Sequence, residues 1–255
     1  MAKADVVSSE IVGYQEIEIP TGYSMYTVTF KDVAGGEFDL STIKLLNSAS
    51  KEMDDDNSTS PTQRSRAKVM FQKIDLDSGN LVSTSYDYTS RNQTGWRKDL
   101  TAISAGEVTF KDGEGMYIYN NQGEVVKFLV SGKVALTPIT TGIPNGYSII
   151  GNMTPVRVDI SKIKLLNSAK VEMNDDNSTS PTQRSRSKVF FQKLDATTGN
   201  LDATSYDYTS RNSVGWRKDL TQISEGAEYL EPGEAIYIYN TQGDTVYLQF
   251  PTVVQ

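Results

Sequence analysis

The stretch Asp55–Arg66, DDNSTSPTQRSR, occurs again without change at Asp175–Arg186. One offset of 120 residues aligns the surroundings as well. KLLNSA begins at Lys44 and Lys164, TSYDYTSRN at Thr84 and Thr204, GWRKDL at Gly95 and Gly215, and YIYN at Tyr117 and Tyr237. Laid on Ser161–Asn240 without a gap, Ser41–Asn120 is identical at about 56 of 80 positions, far above chance self-similarity. The chain is therefore a duplication, and its 255 residues divide into two domains, each long enough to bury a core of its own. The expected layout is an arm at 1–10, a β domain at 11–133 and its copy at 134–255. Residues Ser131–Leu136 join the copies without a Pro-rich or Gly/Ser-rich spacer, which predicts close neighbours in a fixed relation.

Within a copy, the pattern is that of short strands. From Tyr14 the chain alternates, with Ile17 and Ile19 on one face and Glu16 and Glu18 on the other. Tyr23–Phe30 and Ala67–Ile74 are rich in β-branched and aromatic residues, the latter matched by Ser187–Leu194. Leu81–Thr89 places Tyr86 and Tyr88 on one face of a strand. Turns are expected at Pro20–Gly22, Asp77–Asn80, Thr197–Asn200, Gly113-Glu114, Gly233-Glu234, Gln122-Gly123 and Gln242-Gly243. Phe38–Leu46 fits a helical turn or a strand equally well. The Asp-, Asn-, Ser-, Thr- and Pro-rich repeat itself reads as a long ordered loop, because such side chains satisfy their own backbone. The fold class is all-β: two tandem sandwich-like or barrel-like domains with little helix.

The order VGY…IPTGYS at Val12–Ser24, GEG at Gly113–Gly115 and GKV…IPNGYS at Gly132–Ser148 resembles a loose group of repeat-containing secreted β proteins of Verrucomicrobia-type bacteria. Matching positions include Gly13, Tyr14, Pro20, Gly22, Tyr23, Trp96, Gly113 and Glu114, and in the second copy Pro144, Gly146, Tyr147, Trp216, Pro232, Gly233 and Glu234. These are turn and core residues, and the resemblance carries no catalytic residue. Members of that group begin with a signal peptide, whereas MAKADVVSSE has no apolar core to act as one. The expected setting is the cell surface or extracellular space, with the signal removed, or a phage virion.

Composition narrows the chemistry. With no Cys and no His, disulfides, zinc–thiolate centres and the commonest general base are absent. A net charge of −7 argues against a nucleic-acid-coating protein, and no window approaches a membrane span. Asp54, Asp55 and Asp56, followed by Asn57, are candidate calcium ligands, although they lack EF-hand spacing and Asn174 replaces Asp54 in the second copy. Arg64 and Arg66, repeated as Arg184 and Arg186, point the same way in an extended chain. They can pair with Asp55 and Asp56 or with Asp175 and Asp176, within or between molecules, or hold an anion. Tyr86, Tyr88 and Trp96, repeated as Tyr206, Tyr208 and Trp216, can form an aromatic platform for a sugar or simply fill the core. No spacing singles out a catalytic pair, so no enzyme is expected.

Similarity between the copies is uneven. It is nearly complete over Ser41–Leu100, whereas Glu107–Lys111 and Val125–Val130 have changed, as expected if the changed strands meet the other domain in one copy and solvent in the other. The leading expectation is a structural protein of an exterior: a bacterial surface layer or filament, or a phage component. It would present one surface twice and self-associate into a homo-oligomer or lattice through Asp55–Asn57, Arg64, Arg66, Asp175–Asn177, Arg184 and Arg186. The alternatives are a bivalent carbohydrate-binding module, with a glycan partner, and a calcium-stabilised adhesin. No cofactor beyond calcium is expected.

Overall fold

Period-two burial builds the first strand, β1 (Val12–Ile19): Ile17 and Ile19 are buried, while Glu16 and Glu18 face outward. The computed structural model describes residues 12–32, 36–53, 67–72, 86–89, 95–98, 101–174, 189–195, 198–209, 214–219 and 221–251. Copy 1 continues with β2 (Gly22–Thr27), β3 (Phe38–Asp39), β4 (Lys44–Leu46), β5 (Ala67–Gln72) and β6 (Tyr86–Thr89). Then come β7 (Gly95–Lys98), β8 (Thr101–Ala102), β9 (Thr109–Phe110), β10 (Gly115–Asn120) and β11 (Val126–Lys133). Copy 2 repeats the series as β12 (Ile139–Ile143), β13 (Gly146–Gly151), β14 (Val158–Asp159), β15 (Lys164–Leu166), β16 (Val189–Leu194) and β17 (Leu201–Thr209). It ends with β18 (Gly215–Lys218), β19 (Thr221–Gln222), β20 (Tyr229–Leu230), β21 (Ala235–Asn240) and β22 (Val246–Phe250).

Both copies have the same antiparallel topology. A three-stranded sheet, β1-β11-β4, faces a six-stranded sheet, β2-β10-β5-β6-β7-β8, with β3-β9 as a short extra pair. The second copy reads β12-β22-β15, β13-β21-β16-β17-β18-β19 and β14-β20. The architecture is all-β and sandwich-like, and the described strands form no closed barrel. Ile19, Leu45 and Phe128 meet Ile118, Tyr88 and Trp96 in the first core. Ile143, Leu165 and Leu248 meet Ile238, Tyr208 and Trp216 in the second. The cores share no residue, and the chain passes between them where Val134 packs on the first and Ala135 on the second.

Phe38–Leu46 contains both of its candidate structures: β3, a 3-10 turn at Leu40–Thr42, and β4. The Asp39 carboxylate caps the turn, accepting from the Ser41 N–H at 2.9 Å and from the Gly106 N–H at 2.8 Å. Burial opposes its ionisation, but these bonds outweigh it and hold the carboxyl below its ordinary range. Asp159 does the same in copy 2.

At the other end of each sandwich, Asn120 donates to the carbonyls of Ile19, Pro20 and Glu124, and its own carbonyl accepts from the Gln122 N–H. Asn240 repeats this set with Ile143, Pro144, Asp244 and Gln242. The four-residue difference between the copies falls between β2 and β3, residues 28–37 against 152–157. In copy 1 the longer segment buries Phe30 and pairs Lys31 with Lys133. In copy 2 a buried Asn152 replaces it, donating to Val156, Leu230 and Glu231 carbonyls.

Candidate functional site

The six aromatic residues considered for sugar stacking do not form a platform. Tyr88, Trp96, Tyr206, Tyr208 and Trp216 are buried, and Tyr86 is half-buried against the first core. Trp96 donates its indole N–H to the Ile43 carbonyl at 2.9 Å, and Trp216 to that of Ile163 at the same distance. The indoles meet Tyr88 and Tyr208 edge-on, at 5.2 and 5.1 Å. The carbohydrate reading of these residues is therefore corrected. The face that alternation gives to Tyr86 and Tyr88 is the face covered by the three-stranded sheet, so the rings fill the sandwich.

In copy 2 a polar cluster is built around Glu228. Tyr206 stacks on Phe191 at 4.5 Å and donates to Glu228, which also pairs with Lys218; copy 1 has Val108 where Glu228 stands. Burial raises the Tyr206 phenol despite the opposing Lys218 ammonium, so this hydroxyl is held protonated.

The candidate assembly and calcium residues, Asp54–Asn57, Arg64, Arg66, Asp175–Asn177, Arg184 and Arg186, lie outside the described residues. The described chain leading to them is alike in both copies. Asn47 and Asn167 each accept two backbone N–H groups at 3.0 Å to shape the turn after β4 and β15. Met53 and Met173 follow, fully buried, each donating its N–H to the strand before the turn at 2.8 Å. Both repeated stretches thus leave from an anchored residue. Among the described residues, no group of three or more acidic side chains converges to hold a metal, and no helix is long and apolar enough to cross a membrane.

The two copies meet along β2 and β10 on one side and β13, β21 and β16 on the other. The contacts come in equivalent pairs. Thr27 N–H donates to the Gly233 carbonyl at 2.8 Å, and Gly151 N–H donates to Gly113 at 3.1 Å; Thr27 corresponds to Gly151, and Gly113 to Gly233. Tyr26 bridges Glu234, and Ile150, the counterpart of Tyr26, bridges Glu114. Reciprocity of this kind defines a local twofold axis. Met25, Ile149 and Ala235 form a small apolar cluster on it, with Tyr117 donating to the Gly199 carbonyl. Gly113 and Gly233 have positive φ, 79° and 75°, which lets these turns present their carbonyls to the other copy.

Among the described residues, the six-stranded sheets meet chiefly through these strands. β13 lies on β10 and β2, β21 on β2 and β10, and β16 on β2, so the outer strands β6–β8 and β17–β19 extend toward opposite ends of the molecule. The expectation that the changed strands would mark the boundary is met only in part. Lys111 and Thr109 do line it, but Val126, Phe128 and Val130 are core residues of β11. Their counterparts Val246, Leu248 and Phe250 repack the second core.

Fold and boundary define a tandem β-sandwich module whose copies are joined about a local twofold axis. No family model matches the chain, and no curated protein matches it.

Proposed function

We propose that this protein is a non-enzymatic assembly module of an exterior structure, a bacterial surface layer or filament or a phage virion, that links its neighbours through the same surface displayed twice. The observation that carries this reading is the opposed placement of the two outer sheet regions about the local axis. A module with equivalent ends facing opposite ways can join two neighbours through identical contacts, and repetition of such contacts gives a fibre or lattice. The unchanged repeat at Asp55–Arg66 and Asp175–Arg186, within a region identical at 46 of 60 positions over Ser41–Leu100, fits this use, since both ends must fit the same partner surface.

The contacts are assigned to the repeated acidic and basic stretches, with Arg64 and Arg66 of one molecule meeting Asp175 and Asp176 or Asp55 and Asp56 of the next. The short outer strands β8 and β19 suit edge pairing poorly, because two residues offer few backbone groups.

The test is assembly state, followed by light scattering from dilute to concentrated solution with negative-stain images. The parent chain grows into large regular particles. Arg64→Glu with Arg66→Glu stops growth at pairs, as does Arg184→Glu with Arg186→Glu, and the chain with all four stays monomeric. Growth that needs calcium and reverses on chelation assigns Asp54–Asp56 as ligands. A parent chain that is monomeric at every concentration sinks the proposal.

A further inference from the structure

The boundary between the copies has two flanks related by the local axis, and they are built differently. On one flank Tyr26 fills the space: it packs on the first core, its hydroxyl donates to the Glu18 carbonyl at 2.6 Å, and its backbone bridges Glu234. On the other flank Ile150 stands at the position of Tyr26, and a cleft of about 580 Å³ opens, within the usual size of small-molecule sites. The aligned residues account for the opening. Thr141 replaces Ile17, Gly142 replaces Glu18, Thr109 replaces Tyr229 and Glu37 replaces Arg157, each smaller than its counterpart. On the filled flank Arg157 lies over the Tyr229 ring at 4.4 Å.

The cleft also carries unused hydrogen-bonding groups. Thr141 is 4% exposed, and its hydroxyl has no partner among the described residues. Copy 1 satisfies the same position with an apolar Ile17, so a hydroxyl is not demanded by the sandwich. Ser148, 1% exposed, is likewise unpartnered, as is its counterpart Ser24, which does not line the cleft; Thr141 is thus the more informative of the two. A buried hydroxyl without a partner is unfavourable unless something entering the cleft supplies one.

The rim limits what that is. Asp112 is paired with Lys31 at 2.7 Å, Glu114 accepts from the Lys111 N–H at 3.0 Å, and Glu37 accepts from Thr109. The lining carries three carboxylates, Glu37, Asp112 and Glu114, and one ammonium, Lys111, and with Asp112 answered by Lys31 the excess is a single negative charge. Carboxylates only accept, so they select a donor, while hydroxyls both donate and accept. The lining also includes the apolar residues Pro144, Ile149 and Ile150 and the Tyr247 ring, over which the Lys170 ammonium lies at 5.4 Å.

We propose that this cleft binds a neutral saccharide unit, its C–H face on Tyr247 and the apolar residues of the lining, its hydroxyls on the rim carboxylates and on Thr141. It provides one site per chain, formed only where the two copies meet. The proposal stands apart from the assembly reading.

The test screens glucose, galactose, mannose, N-acetylglucosamine and their common disaccharides by saturation-transfer NMR, then measures the best by calorimetry. Immobilised glycans distinguish a free sugar from a polymer end, and inorganic phosphate and spermidine are the charged controls. At least one neutral sugar is expected to bind. Ile150→Tyr and Thr141→Ile install residues that copy 1 already carries, and each is expected to weaken binding by about tenfold or more. Thr141→Val, which removes the hydroxyl without adding bulk, weakens it severalfold. Melting temperature and light scattering on each variant separate loss of the cleft from loss of fold or assembly. Absence of sugar binding overturns the proposal, as does binding that survives both Ile150→Tyr and Thr141→Ile, or binding of phosphate or spermidine instead.

Discussion

The interiors of the two copies and the boundary between them have diverged in different ways. Inside, the fixed points coincide: Trp96 and Trp216 donate to equivalent carbonyls, and Asn120 and Asn240 satisfy the same three acceptors. At the boundary, equivalent positions differ in size. A residue near a twofold axis meets its own counterpart, so two large side chains collide and two small ones leave a void. The chain resolves this with unequal pairs, Thr27 against Gly151 and Gly115 against Ala235. A side chain at Gly151 would meet the Thr27 methyl at 2.5 Å and the Glu234 carbonyl at 2.9 Å. What the comparison teaches is that joining the copies in one chain let a symmetric contact become complementary, and on one flank let it open.

The largest effect separates the interiors least. Trp96→Ala and Trp216→Ala each empty a core and orphan a buried carbonyl, and each should cost about 3–5 kcal/mol in denaturant unfolding. The two losses should agree within 1 kcal/mol or so if the cores are energetically equivalent. A clear inequality would show that the repacking by Phe128 on one side and Phe250 on the other matters more than the shared indole.

Next is the boundary. Gly151→Thr places the copy-1 residue where only hydrogen fits and should cost about 2–3 kcal/mol by overpacking. Exchanging the full set, Met25→Ile, Thr27→Gly, Gly115→Ala, Ile149→Met, Gly151→Thr and Ala235→Gly, should recover most of that, since Ile149 as well as Thr27 fills space a side chain would need. If the exchange is no better than Gly151→Thr alone, the local axis does not govern the contact.

The two flanks should also differ in pH response. Burial, with Glu234 and Glu18 adding, pushes the Tyr26 phenol up to about 12, while the equivalent Ile150 cannot titrate. An unfolded tyrosine loses its proton near pH 10, so between about 10 and 12 the unfolded state binds fewer protons and stability falls as pH rises. Its contribution is fully present below about pH 10. Melting curves from pH 8 to 12 should therefore fall less steeply for Tyr26→Phe than for the parent, by about 2 kcal/mol at the alkaline end. Equal slopes would remove Tyr26 as the group responsible.

The smallest effect tests equality again. Lys44–Glu52 and Lys164–Glu172 are exposed ion pairs, each at 3.0 Å. Lys44→Ala and Lys164→Ala should each cost less than about 1 kcal/mol and be indistinguishable in thermal unfolding. A difference above that would mean that the described surfaces before the repeated loops are not alike.

Local pattern was enough for much of this. Exact repetition imposed two copies of one topology, alternation placed Ile17 and Ile19 inward, and the turns at Gly22, Gly113, Gly123, Gly233 and Gly243 separate strands where they were expected, while Asp77–Asn80 lies outside the described residues. These are properties of neighbouring residues, and period and turn chemistry act over a few positions. Phe38–Leu46 stayed ambiguous because its 3-10 turn depends on Asp39 reaching the Gly106 N–H, a partner 67 residues away. The aromatic rows were legible as one face of a strand, but whether that face met sugar or a second sheet depended on β1, β4 and β11 closing over it. The cleft was invisible for a related reason. Its lining comes from two copies at unlinked positions, and only the aligned size changes, Ile17 to Thr141 and Tyr26 to Ile150, carried any signal. By itself the sequence determined what each copy is, because folding of a copy is written in its own residues. The tertiary structure alone decided how the copies face one another and where space was left between them, because burial at a boundary depends on both surfaces at once.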